Sequence, residues 1–146
     1  QLKSSLFTTL FRLPSLRRNE DAARKRAAEL MEYVGCGDYL DAEASAMSYG
    51  ALKRLEIARA LAAEPKVILL DEPAAGLNAV ETAALEDLIR KIADQGTTVM
   101  LVEHDMKLVM GISDRLLVLN YGRVLAEGTP EEIRQNPDVI AAYLGG

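Results

Sequence analysis

Leu52, Leu55, Ala58 and Leu61 recur at helical spacing, whereas Val67-Ile68-Leu69-Leu70 is an unbroken apolar run, and the contrast separates helix from strand. The first pattern predicts a helix that opens after Ser48 and ends before Pro65. The second predicts a strand buried on both faces. Residues 80–93 return to the helical pattern, with Leu85, Leu88, Ile89 and Ile92 on one side, and close near Gly96. Residues 97–102, rich in β-branched side chains, predict another strand. A short helix over 106–111 follows. Two strands, 115–120 and 123–127, then meet at Tyr121-Gly122 in a hairpin-like turn. Thr129-Pro130-Glu131-Glu132 opens a helix with a capping-box pattern, and a last short helix runs from Pro137 to Leu144.

Upstream of Ser48 the pattern is helical and then polar. Leu6, Leu10 and Phe11 give residues 2–12 a weak amphipathic signal that stops before Pro14. Residues 20–34 are rich in Ala, Leu, Arg and Lys and begin with Glu20 and Asp21, which suit the positive end of a helix dipole. Gly35 is placed to cap that helix, and residues 37–46 read as a polar linker. Strand and helix alternate through the middle of the chain. The fold class is therefore α/β, with a mostly parallel sheet, flanking helices and an antiparallel hairpin extending the sheet. No internal repeat or low-complexity tract interrupts it.

Composition agrees with a folded domain: 49% of the 146 residues are hydrophobic and 27% charged. The formal net charge of -5 and the interspersed acids argue against a nucleic-acid partner. The densest basic runs, Arg17-Arg18 and Arg24-Lys25-Arg26, are flanked by acids and read as a solvated helix face. Cys36 is the single cysteine, so no internal disulfide can form, which is compatible with a reducing compartment. No apolar run approaches the roughly 20 residues that span a bilayer. The start shows no signal-peptide pattern, and it begins with Gln1, as a fragment would.

Candidate chemistry gathers at strand ends. Asp71-Glu72 follows the apolar run, and ligands of open α/β sheets bind beyond such ends. One acid there can hold Mg²⁺ through water, and its neighbour can orient or deprotonate an attacking water. Two acids also simply end strands and cap turns. His104, the only histidine, follows the second strand, so neighbouring parallel strands would bring it to the same edge. It can donate to a phosphate oxygen, or it can merely cap the helix near Met106. Ser48-Tyr49-Gly50 precedes a helix, where a hydroxyl, a glycine and exposed N–H groups favour an anion. The same triplet is also an ordinary N-cap.

The order of these segments resembles the ATP-binding-cassette (ABC) ATPase family across essentially the whole chain. Ser48-Tyr49-Gly50 and the helix after it are similar to the family's signature, Val67-Ile68-Leu69-Leu70-Asp71 to its Walker B strand, and Glu72 to its catalytic glutamate. Ala75-Gly76-Leu77-Asn78 is similar to its D-loop and His104 to its switch histidine. Within the family, Leu70-Asp71-Glu72-Pro73-Ala74-Ala75-Gly76-Leu77-Asn78, Glu103-His104-Asp105-Met106, Glu127-Gly128-Thr129-Pro130 and the tail from Asn136 resemble ATPases of branched-chain amino-acid importers. Importers of urea or other small solutes share these phrases.

The resemblance implies a partial P-loop NTPase fold. Residues 1–46 would belong to the helical subdomain and linker, and 47–146 to the ATPase core. It also implies ATP and Mg²⁺ as cofactors, with Asp71 associated with the metal through water. Glu72 and His104 would be catalytic, and Ser48, Tyr49, Gly50 and Asn78 would meet nucleotide across a dimer. Partners would be a second ATPase subunit and transmembrane permease subunits, with a periplasmic solute-binding protein indirectly. The location would be peripheral, on the cytoplasmic face of the membrane.

Some positions depart from the family pattern. Tyr49 stands where glycine is common, Ala51 where glutamine is, and Asn78 where aspartate is usual. No G-x-x-x-x-G-K-[ST] occurs in the 146 residues, although that loop cradles the phosphates in P-loop ATPases. The expectation is a truncated ABC ATPase. The rival reading is a non-enzymatic remnant. DNA-repair and chromosome ATPases of the same family carry long coiled-coil insertions, which these residues lack, and the importer-like tail speaks against an exporter.

Overall fold

A computed structural model describes residues 13–144, and side chains from 19 to 143. The helix expected over 2–12 lies outside the described residues. Two compact units are present, one up to Pro65 and one from Lys66 onward. The sequence suggests a division between 46 and 47. The units part later because the helix after Ser48 packs on the helix before the linker.

In the first unit, α1 (Leu13–Tyr33) is longer than the 20–34 segment that composition predicts. Pro14 opens this helix, since proline in a first turn removes only an N–H that has no intrahelical partner. At the other end Gly35 adopts φ +70°. Its N–H reaches Glu32 O and the N–H of Cys36 reaches Met31 O, the paired bonds of a glycine-terminated helix. The basic run is solvated as expected: Arg24, Lys25 and Arg26 face Glu20 and Glu29 along the helix at 3.7–3.9 Å. The linker forms two single 3-10 turns, Gly37–Tyr39 and Ala44–Ala46. The signature-like helix α2 (Tyr49–Leu61) buries Gly50, Ala51, Ile57 and Ala58 on one face. Cys36 is fully buried, and its thiol donates to Ala51 O at 3.5 Å.

The second unit is built on a parallel pair. β1 (Val67–Asp71) lies beside β2 (Thr98–Val102) in unbroken register, from Val67 opposite Thr98 to Asp71 opposite Val102. Parallel strands need a crossover, here α3 (Ala79–Asp94), which packs on β2 and buries the predicted Leu85, Leu88, Ile89 and Ile92. The expectation of burial on both faces does not hold. Val67, Leu69, Met100 and Val102 are 52–71% exposed, because among the described residues only α3's side of the ladder is covered.

The hairpin is β3 (Leu116–Asn120) and β4 (Arg123–Gly128), with Tyr121 and Gly122 both at positive φ in the turn. Among the described residues it forms its own two-stranded sheet and does not extend β1–β2. A tight turn pairs two strands locally, but hydrophobic pattern does not dictate which outer edge they join. Val118, Ile133 and Val139 form a core beneath it, together with Met106, Met110, Leu116 and Leu125. Those residues come from the hairpin, from α4 (Met106–Ile112) and α5 (Pro130–Gln135), and from α6 (Pro137–Val139), which continues into a wider turn over Ile140–Leu144. The capping box forms as predicted: Thr129 N–H donates to Glu132 Oε2 at 2.9 Å, and Glu132 N–H to Thr129 Oγ1 at 3.4 Å.

Candidate functional site

The register of β1 against β2 decides what meets at the strand ends. Asp71 is the last residue of β1, opposite Val102, and is exposed. Glu72 extends the ladder by one bond, its N–H donating to Val102 O at 2.9 Å. It then turns into the left-handed region at φ +43°. Such a conformation costs a non-glycine residue about 1–3 kcal/mol and persists only where the surroundings enforce it. Two bonds that help to hold it are the one to Val102 and that from Ala75 N–H to Glu72 O, 3.1 Å.

His104 lies two residues beyond Val102. Its Nδ1 is 3.6 Å from Glu72 Oε1, with the two side chains 75% and 56% exposed. The ring is not the cap of α4. That cap is Asp105, whose Oδ1 accepts from Lys107 N–H at 2.9 Å and Leu108 N–H at 3.2 Å. The structure thus brings Asp71, Glu72 and His104 to one edge of the second unit, open to solvent.

Glu103 is the residue that the sequence reading passes over. Its side chain is only 2% exposed. One carboxylate oxygen accepts from Ala74 N–H at 2.9 Å, and the other accepts from His104 N–H at 3.2 Å and lies 3.9 Å from His104 Nδ1. The available signal was strand alternation: Val102 points to the exposed face, so the acid after it points to the covered one.

Asn78 closes the loop that begins at Glu72. Its side-chain oxygen accepts from Val80 N–H and Glu81 N–H, both at 3.0 Å, while Glu81 Oε2 accepts from Asn78 N–H at 3.1 Å. The amide carbonyl is therefore engaged in capping α3.

In the first unit, Ser48 caps α2, its Oγ accepting from Ala51 N–H at 3.2 Å. Tyr49 is exposed, and Lys53 Nζ sits over its ring, 5.6 Å from the centroid. Side chains tilt toward a helix N-terminus, so Lys53 adds positive charge to the end where the dipole already favours anions. Gly50 is buried and is not presented outward as the sequence suggests, because it shares the inner face of α2 with Ala51 and Ile57.

Among the described residues, no three His, Cys, Asp or Glu side chains gather to enclose a metal. Mg²⁺ does not require such a cage, since it keeps several waters and takes one or two carboxylates plus phosphate oxygens. An exposed Asp71 at a strand end fits that mode. Among the same residues, no helix is long and apolar enough to cross a membrane.

Comparison with known proteins bears on the assignment. The ABC transporter family model matches residues 3–75, and the model for branched-chain amino acid ATP-binding cassette transporters matches residues 123–146. The chain is 53% identical to LivG of Escherichia coli, a high-affinity branched-chain amino acid transport ATP-binding protein, over 99% of this chain and 57% of that protein. BraF of Pseudomonas aeruginosa, described in the same words, is 49% identical over the same shares. A solved ATP-binding cassette of an ABC transporter in its ADP conformation superposes with a TM-score of 0.76 at 28% identity, covering 84% of this chain and 50% of that one. The chain therefore spans little more than half the length of the curated relatives it matches. With half of its residues matched by the family model and its fold shared with a solved cassette, the chain belongs to the ABC transporter ATPase family.

Proposed function

We propose that these residues are the hydrolytic portion of the ATP-binding subunit of an importer for branched-chain amino acids, in a protein of its relatives' length. The observation that carries the reading is the approach of His104 Nδ1 to Glu72 Oε1, 3.6 Å apart at the tips of two parallel strands. The names of LivG and BraF supply the solute class. No G-x-x-x-x-G-K-[ST] lies in these 146 residues, so activity is assigned to the longer protein.

On this reading Glu72 orients the attacking water, and its carboxylate takes the proton. His104, with Nδ1 3.6 Å from that carboxylate, would donate a hydrogen bond to a phosphate oxygen. Mg²⁺ bound with ATP would neutralise phosphate charge, with Asp71 holding its water shell. Ser48, Tyr49 and the first turn of α2 would meet the nucleotide of a second ATPase subunit, and Asn78 would lie at the seam between the two. The helical unit is assigned to the part that meets the transmembrane permease subunits, with the whole held peripherally on the cytoplasmic face.

The test is Glu72→Gln in the full-length subunit that carries these residues. ATP binding is retained and turnover is nearly abolished. Unchanged hydrolysis removes Glu72 from the role of base.

A further inference from the structure

Glu103 has no part in the chemistry proposed above, yet it is the most enclosed carboxylate at the site. Burying a charge is unfavourable unless hydrogen bonds replace the lost water. Here two backbone N–H groups do so, and they come from opposite sides of the site. Ala74 N–H, at 2.9 Å, belongs to the loop that begins with Glu72; His104 N–H, at 3.2 Å, belongs to the segment that follows β2. The side chain therefore bridges the segment carrying the base and the segment carrying the histidine.

What the bridge holds is specific. Glu72 sits at φ +43°, a backbone state that relaxes unless it is held. Two residues on, Ala74 is held to Glu103, and Leu77 N–H closes on Ala74 O at 3.1 Å. On the other arm, the same carboxylate lies 3.9 Å from His104 Nδ1 and faces the ring edge that also faces Glu72. One buried group thus sets the loop, the ring and the gap between them.

We propose that Glu103 is a positioning residue, which by accepting from Ala74 and His104 holds Glu72 and His104 in register for water activation. The proposal rests on the hydrolytic reading of Glu72 given above. Glu103 touches no reacting atom, so its loss lowers kcat and leaves nucleotide affinity in place.

The experiment compares Glu103→Ala, Glu103→Gln and Glu72→Gln in the full-length subunit, with ATPase kinetics and amide hydrogen exchange. Glutamine keeps an oxygen for Ala74 N–H but turns an NH₂ toward His104 N–H, so it retains one acceptor of two. Each lost bond to a charged acceptor is worth about tenfold, so kcat falls about 100-fold for Glu103→Ala and about tenfold for Glu103→Gln, with KM for ATP unmoved. Exchange at Ala74 accelerates in Glu103→Ala, while the β1–β2 amides stay protected, which separates a loosened loop from an unfolded domain. The proposal is overturned if Glu103→Ala turns over as the parent does, if KM rises in place of the fall in kcat, or if Ala74 exchanges no faster. It is also overturned if Glu103→Gln loses as much kcat as Glu103→Ala, since charge and not the tether would then matter. A Glu72→Gln protein that still hydrolyses ATP sinks the hydrolytic reading instead, and the exchange of Ala74 still reports on the tether.

Discussion

The thiol of Cys36 donates to the carbonyl of Ala51 across 3.5 Å, joining the end of α1 to the first turn of α2. Because Cys36 is 0% exposed, a thiol reagent under native conditions modifies it only as fast as the unit opens. Cys36→Ala removes one buried heavy atom and costs about 1 kcal/mol, read as a lower urea midpoint in the full-length subunit. Immediate labelling of the folded protein would contradict this placement.

Asn78 separates capping from catalysis. Asn78→Ala removes the acceptor for Val80 and Glu81 N–H and lowers stability by about 1 kcal/mol. Asn78→Asp keeps the cap and adds charge at a favourable helix end, so its unfolding midpoint equals or exceeds the parent's. A change in ATPase rate for Asn78→Asp without a change in midpoint would locate a functional role beyond the cap.

At the hairpin tip, Gly122 has φ +74° and nothing within 4 Å of where a Cβ would stand. Gly122→Ala therefore reports backbone strain alone, about 1 kcal/mol of destabilisation by thermal unfolding. Gly122→Asn recovers much of it, because asparagine tolerates the left-handed region.

Arg115 and Glu127 pair across the hairpin at 3.1 Å, but their side chains are 69% and 59% exposed. Solvent screening reduces such a pair to about 0–1 kcal/mol. A double-mutant cycle on Arg115→Ala and Glu127→Ala returns a coupling in that range; a larger value would mean the hairpin is less solvated than described.

Local physics was readable from the sequence where the signal is local. The Thr129–Glu132 box, the Gly35 stop and the Tyr121-Gly122 turn depend on a few adjacent residues, and each forms. Leu85, Leu88, Ile89 and Ile92 are buried together because a helical repeat defines a face by itself. Long-range facts were not readable in the same way. An apolar run such as Val67-Ile68-Leu69-Leu70 cannot say which side is covered, and periodicity cannot say that the hairpin stays apart from β1–β2. Pro14 reads as a stop in the sequence, yet proline is equally suited to a helix's first turn, where it stands in α1. At the site, the edge shared by Asp71 and His104 followed from parallel order. The inward turn of Gly50 and the bond that joins Glu103 to Ala74 needed three-dimensional packing to appear.

The unbroken pairing of Val67–Asp71 with Thr98–Val102 has a further consequence. Side chains in a strand alternate, so sliding one strand by a single residue would send Asp71 to the far side of the ladder and part Glu72 from the imidazole. Substitutions deep in the apolar stretch, several residues from any nucleotide, can therefore impair turnover while leaving the domain folded. Screens for inactive variants should find some of their hits among plain valines and leucines.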